Sequence, residues 1–239
     1  FSASGGLYSQ PPFYRELRDY NGVLNRNVKA QTSVHAVLGT DVTFKAWSRD
    51  FRFIGEVFYK YLDNLNPYEV NDVRIRYFGN NLAYGYAYGL DLRLYGEFVK
   101  DAESWISISL LRTKENLYND SYNIYINTYG DTIIPGYTLN DTVAGIITNY
   151  PGMIPRPSDQ LITFGLYFQD YLPMLPDCKM NLGLILGTGM PFGPPNHQRY
   201  QQVFRMPPYR RVDIGFSYQI IKASKSAQLK TDLKNGEKK

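Results

Sequence analysis

The sequence predicts an all-β fold: an antiparallel transmembrane β-barrel segment of about eight long strands. Two observations predict it. Apolar and polar residues alternate with a period of two wherever the chain has a pattern, and the connections between these stretches are short and long in turn. Outer-membrane barrels combine short periplasmic turns with long extracellular loops. The alternating connection lengths therefore favour a barrel over a sandwich or a propeller.

Eight stretches carry the alternation. The clearest places Leu90, Leu92 and Leu94 on one face and Asp91 and Arg93 on the other. That stretch is about three times as long as a usual strand of about 5–6 residues. No window has the roughly 3.6-residue period of an amphipathic helix. The predicted strands are 1–9, 34–46, 51–61, 82–98, 104–114, 160–170, 178–188 and 210–221.

The two faces of the predicted wall differ in chemistry. Along 82–98 one face has tyrosines, then leucines, then a phenylalanine, which is the girdled apolar band of an outer-membrane barrel. We therefore expect these residues to face lipid: Tyr84, Tyr86, Tyr88, Leu90, Leu92, Leu94 and Phe98. Charged residues occupy the other face, and the residues predicted to face the lumen are Arg52, Glu56, Arg74, Arg76, Asp91, Arg93 and Glu97.

The connections divide into two groups. The short ones are 47–50, 99–103 and 171–177, and the long ones are 10–29, 63–81, 115–159 and 189–209. Binding residues concentrate in loops that a rigid scaffold holds, and 115–159 is rich in Tyr, Asn and Asp. Its candidate ligand contacts are Tyr118, Tyr122, Tyr125, Tyr129, Tyr137 and Tyr150. The same composition equally fits a large ordered loop without a ligand.

Composition excludes several classes of function. The chain has 26 basic and 22 acidic residues among 239, and the last eighteen residues hold the whole excess. The neutral remainder indicates no nucleic-acid partner, because nucleic-acid-binding domains cluster Lys and Arg on a face. Cys178 is the only cysteine, and His35 and His197 form no zinc-binding pattern. We predict no catalytic residues, no metal and no cofactor, and we expect a protein that is not an enzyme.

Seven strings occur in one order between residue 1 and about 221, namely 1–17, 66–77, 85–93, 155–160, 168–173, 187–195 and 204–217. Together they resemble the barrel of TonB-dependent outer-membrane receptors of the Bacteroidetes type. The resemblance implies a 22-stranded barrel with a plugged lumen, of which this chain holds about a third. It implies a receptor that binds a scarce extracellular ligand and imports it with energy from the inner-membrane TonB system.

The resemblance also implies partners and a location in the cell outer membrane. The partners are outer-membrane lipid, the TonB–ExbB–ExbD motor acting through a plug region, an extracellular ligand of unknown identity and a surface lipoprotein. We expect truncation at both ends, a partial barrel over 1–221, and a disordered, Lys-rich periplasmic connection over 222–239. Two alternatives stay open: a surface-exposed carbohydrate-binding β-sandwich, and a passive eight-stranded outer-membrane pore or adhesin.

Overall fold

The computed structural model describes residues 1–71, 74–99, 102–172, 174–194, 196 and 198–218. The described chain contains β-strands and one short 3-10 turn at Arg199–Gln201. No described helix is long and apolar enough to cross a membrane. In chain order the strands are β1 (Ser2–Gln10), β2 (Gln31–Ala46), β3 (Arg49–Leu65), β4 (Tyr68–Asn71), β5 (Arg74–Tyr77), β6 (Ala83–Val99), β7 (Ala102–Leu117), β8 (Tyr122–Asn127), β9 (Val143–Asn149), β10 (Ile154–Pro155), β11 (Ile162–Leu172), β12 (Leu175–Gly187), β13 (Pro191–Phe192), β14 (Phe204–Arg205) and β15 (Tyr209–Tyr218).

All eight predicted long strands are present and form one antiparallel sheet in the order β1-β2-β3-β6-β7-β11-β12-β15. Each long strand pairs with the next long strand along the chain. Several are longer than predicted, since β2 begins at Gln31 and β3 runs to Leu65. Within the described residues β1 pairs only with β2, and β15 pairs only with β12. The described sheet is therefore open at both edges, and no closed barrel is present in it.

Three short connections lie at one end of this sheet. Trp47 and Ser48 join β2 to β3 with φ angles of 50° and 60°, and positive φ at both central residues is the geometry of a two-residue type I′ hairpin. The other two short connections join β6 to β7 and β11 to β12. Because successive strands are antiparallel, the four long connections all lie at the opposite end. The sequence predicts this segregation, and the structure agrees.

The long connections contain short strands that the sequence does not predict. One two-stranded sheet pairs β4 with β5, a second pairs β8 with β9, and a third pairs β13 with β14. Arg74 and Arg76, predicted to face the lumen, lie on β5, where Arg76 is opposite Glu69. They belong to a separate hairpin and do not extend the polar face of the main sheet. Only two to seven residues form each of these strands, so their alternation is too short to separate from loop sequence.

Buried apolar side chains concentrate where the long connections meet the main sheet. A sheet that leaves both faces exposed has no core between layers, so burial here depends on the connections folding back over the strand ends. The cluster comprises Leu65, Ala83, Leu117 and Ile154, with Leu62, Phe78 and Tyr200 packed against it. The long-connection end therefore holds a hydrophobic core cluster of the described chain.

The predicted Lys-rich segment 222–239, the last residues of the predicted strand 210–221, and His197 lie outside the described residues.

Candidate functional site

The strand register aligns the apolar side chains of the main sheet on one face. One cross-strand row runs through seven strands, each member opposite the next: Val42, Phe53, Leu94, Ile106, Leu166, Leu184 and Val212. A shift of one residue at any pair would move that strand's apolar set to the other face. Every long strand contributes at least one exposed aliphatic or aromatic side chain to this face, from Leu7 on β1 through Tyr88 on β6 to Ile214 on β15. We call it the apolar face.

Aromatic side chains border the apolar face at both ends. At the short-connection end Phe51 contacts Phe44, Trp47 and Phe98, with ring centroids 5.2–5.8 Å apart. Tyrosines border the long-connection end, and they are Tyr59, Tyr61, Tyr84, Tyr86 and Tyr88. All seven residues predicted to face lipid therefore lie on one face of β6. The lipid itself stays a prediction.

The opposite face, which we call the polar face, carries the charged residues of the strands. Arg52 donates from Nε to Oδ1 of Asp41 on the neighbouring strand at 2.9 Å. Glu56 and Asp91 are directly opposite each other in register, an arrangement of like charges that water or a cation must screen. Five of the seven residues predicted to face the lumen share this face: Arg52, Glu56, Asp91, Arg93 and Glu97.

A buried ionic network joins the long connections to the end of β7. Glu115 is 1% exposed and accepts from Arg199 at 2.9 Å and from Arg156 at 3.2 Å. Arg199 also donates to the backbone carbonyl of Pro155 and to the side chain of Gln202, which in turn donates to Glu69. The Arg199 side chain is only 1% exposed. Its three hydrogen-bonded partners stabilise the buried positive charge. The network therefore connects three long connections to one strand.

A second buried carboxylate lies beside this network. Asp159 is fully buried and accepts from the backbone amide of Thr113 at 2.7 Å. The guanidinium of Arg205 contacts the same carboxylate and also donates to the carbonyl of Gly189 at 3.1 Å. Arg112 is a weaker partner at 3.4 Å. The chain between β10 and β11 is thus attached to β7 on one side and to the β12–β15 connection on the other.

A pocket of about 300 Å³ opens beside the buried ionic network. Tyr118, Asp120 and Tyr122 line it, together with Arg199 and Tyr200. Asn119 adopts a left-handed φ of 59°, a conformation that Asn tolerates better than most residues, and this turn brings Asp120 back towards the strand ends. The Tyr122 and Tyr200 rings stack with centroids 4.3 Å apart and an interplanar angle of 6°.

The structure brings together only two of the six tyrosines predicted to contact a ligand. Tyr118 and Tyr122 share the 300 Å³ pocket. Tyr125 lies farther along β8, and the remaining three lie in the connections on either side of β9. These three are 72–87% exposed: Tyr129, Tyr137 and Tyr150.

Burial raises the pKa of four groups in the long connections, namely Tyr20, Tyr77, Tyr118 and Asp120, and two of them have further causes that matter here. Burial raises the pKa of Tyr20, the Glu69 carboxylate raises it further, and Arg199 opposes both. Burial also raises the pKa of Asp120, while a hydrogen bond from its own backbone amide acts the other way. The Oδ2 atom of Asp120 is buried without a hydrogen-bond partner in the described part of the chain. The fold therefore favours the protonated, neutral forms of the Tyr20 hydroxyl and the Asp120 carboxyl.

Sequence reasoning missed the residues that organise this end of the molecule. Glu115 and Arg199 are separated by 84 positions, and neither belongs to a motif. Gly85 does offer a signal: a Cβ there would lie 3.1 Å from the Cα of Glu115, on the neighbouring strand. Glycine at an interior strand position often marks such a close backbone approach, but it does not identify the partner.

Comparisons with protein-family models, with curated proteins and with solved structures found no match.

Proposed function

We propose that this chain forms part of the wall of an outer-membrane β-barrel receptor of the TonB-dependent type, and that the whole protein binds a scarce extracellular ligand and imports it. The observation that carries the proposal is the apolar face, which is continuous through the main sheet and bordered by aromatic residues at both ends. The role is transport and not catalysis.

The dimensions of the apolar face fit a bilayer. Phe98 lies ten residues beyond Tyr88 on β6, which is about 33 Å at a rise of about 3.3 Å per residue. Strands of membrane barrels tilt by about 40°, so this length spans about 25 Å along the membrane normal, equal to the height of the apolar band of such barrels. Tyr and Phe rings then lie at headgroup depth, where amphipathic rings are favoured.

A water-exposed apolar face of this extent is unfavourable. Soluble monomers rarely expose contiguous apolar patches above a few hundred Å², and here every long strand contributes to one patch. Lipid removes the cost because its acyl chains are as apolar as the side chains. A second sheet would also cover the face in a β-sandwich, but the other described sheets have two strands each and lie in the long connections.

The open edges favour a wall segment over a self-contained eight-stranded barrel. A closed eight-stranded barrel requires β1 to pair with β15. In the described residues neither strand has a second neighbour. Unpaired edge strands expose backbone N–H and C=O groups, which is unfavourable in hydrocarbon, so further strands are needed on both sides.

The long-connection end is the expected extracellular side. Glu115 and Asp159 attach these connections to the wall with buried ion pairs, which gives exposed loops a fixed shape. The polar face presents charged side chains such as Arg52 and Asp91 to what would be the lumen. TonB-driven import rests on the family resemblance of the sequence and has no residue assigned to it in this chain.

Site-directed labelling tests the proposal. Single cysteines at Leu92 and Arg93, in a Cys178→Ser background, are labelled after the chain, expressed with its flanking sequence, is folded into lipid vesicles. We expect Leu92→Cys to react only with a membrane-soluble maleimide, and Arg93→Cys to react with a water-soluble one, because adjacent strand residues point to opposite faces. Equal reaction of both with the water-soluble reagent, or recovery of the chain as a soluble monomer without detergent, would overturn the proposal.

A further inference from the structure

A pocket of about 510 Å³ opens on the polar face near the long-connection end. It lies between β1, β2 and β3, and Arg156 closes it from the segment after β10. Its polar lining includes Tyr8, Gln31, Ser33, His35, Lys60 and Arg156. No Asp or Glu lines this pocket among the residues that the structure describes. The sequence offers no reason to group these side chains, because they come from four separate strands or connections.

The charge around this pocket is positive and incompletely neutralised. Lys60 forms no ion pair with the described carboxylates, and its Nζ lies 5.2 Å from the centroid of the Phe58 ring. Arg156 shares the single carboxylate of Glu115 with Arg199. Arg199 and Glu69 belong to the buried ionic network and do not line this pocket. Of the two cations in the lining, Arg156 is paired with Glu115, so Lys60 is the cation that pairs with no described carboxylate at this half-buried site.

Neutral donors complete the lining. The Oε1 atom of Gln31 accepts from the backbone amide of Asn66 at 3.4 Å, so the Gln31 amide NH₂ group remains to donate. Ser33 Oγ is 2.6 Å from His35 Nε2, which fixes the imidazole and leaves Nδ1 for a ligand. The Tyr8 ring packs on the imidazole with centroids 4.3 Å apart. The pocket thus combines cationic groups, neutral donors and one aromatic wall.

We propose that this pocket binds an organic oxyanion, a ligand whose carboxylate or phosphate group is held by Lys60 and Arg156 beside His35. Hydrogen bonds between charged groups are the strong ones, and a guanidinium already paired through Nε keeps its two terminal nitrogens for a second oxyanion. A neutral ligand would leave the excess charge unbalanced. The inference rests on the proposed function, because it names the chemical class of ligand that the receptor takes from outside.

Three probes of similar shape test the ligand class on the whole receptor that contains this chain, purified in detergent micelles. They are benzoate, phenyl phosphate and the neutral benzamide, and binding is followed by calorimetry at neutral pH and low salt. We expect at least one of the two anions to bind about tenfold or more tightly than benzamide, the effect of one charge-assisted hydrogen bond. The anion that binds more tightly identifies the oxyanion.

Variants locate the site. Lys60→Gln should reduce the ratio of anion affinity to benzamide affinity by about tenfold. Lys60→Arg should leave this ratio unchanged. Lys45→Gln is the matched control, because Lys45 lies at the other end of the same pair of strands and is 79% exposed. Added salt should weaken anion binding and leave benzamide binding unchanged, since screening acts on the charged ligand.

Two results would overturn the inference: equal binding of the anions and benzamide, or an unchanged preference in Lys60→Gln. The benzamide comparison needs no variant, so it decides the matter even if Lys60→Gln does not fold. Failure here is distinct from failure of the proposed function. A chain that enters vesicles with the expected labelling pattern and shows no anion preference loses only the ligand class.

Discussion

Leu92→Arg places a charge on the apolar face at the depth where lipid and water differ most. Leu92 lies opposite Gly55 on β3 and Ile108 on β7, four residues from Tyr88 and six from Phe98 on the same strand. At a rise of about 3.3 Å per residue and a tilt of about 40°, it lies about 10 Å from the tyrosine belt and about 15 Å from the phenylalanine. It is therefore close to the middle of the band.

The expected penalty differs sharply between the two environments. An arginine at the bilayer midplane of a barrel costs about 2–4 kcal/mol, or about 30- to 900-fold in the folding equilibrium constant. On the exposed face of a water-soluble protein, a surface substitution usually changes stability by less than about 0.5 kcal/mol. The two outcomes do not overlap.

Urea-dependent folding into lipid vesicles, with the chain expressed together with its flanking sequence, measures the penalty. Two variants accompany Leu92→Arg: Leu92→Ala removes the side chain without adding a charge, and Ser109→Arg adds the same charge on the polar face, directly opposite Asp91. We expect only Leu92→Arg to lose about 2–4 kcal/mol. A penalty for Leu92→Arg no larger than that for Ser109→Arg would refute the assignment of this face to lipid.

Three further substitutions test the packing of the described chain. Glu115→Gln should destabilise by about 3–5 kcal/mol in urea unfolding, because Arg199 would remain buried without its carboxylate. Gly96→Val should destabilise by about 1–3 kcal/mol in the same assay, since a Cβ at this position would overlap the Phe51 ring. Burial raises the pKa of Asp120 above its usual value of 3.8, so between these two pKa values the folded state binds more protons than the unfolded state. Stability should then fall as pH rises through that window, and Asp120→Asn should remove this dependence in unfolding measured across pH.

Each of these predictions has a matched control. Asp213→Asn removes the partner of an exposed arginine, Arg211, and should change stability by less than about 1 kcal/mol. Gly145→Val adds its side chain where nothing lies within 4 Å of the new Cβ. Asp141→Asn removes an exposed carboxylate of the same long connection as Asp120. A control that loses as much stability as its test variant would contradict the mechanism assigned to that site.

Glu115 shows why the site was harder to predict than the fold. The alternation in 82–98 depends only on neighbours in the sequence, and it correctly predicted both faces of β6. The partners of Glu115 lie 41 and 84 positions away, where no local pattern relates them. The same holds for Lys60 and Arg156, which meet at one pocket only after the long connections fold back. Arg74 and Arg76 were added to the lumen-facing set from the connection before β6, and that connection forms its own hairpin, apart from the main sheet.

The amino-acid order by itself determined that the chain forms long antiparallel strands, which faces are apolar and which connections are short. Strand geometry alternates side chains strictly, so a local repeat is enough to predict it. Only the tertiary structure decided how each strand pairs with its neighbours. Cross-strand register aligns Val42, Phe53 and Leu94 in one row, and the folding of the β12–β15 connection over the strand ends brings Arg199 to Glu115. These contacts join distant parts of the chain, and their energies depend on burial that exists only after folding.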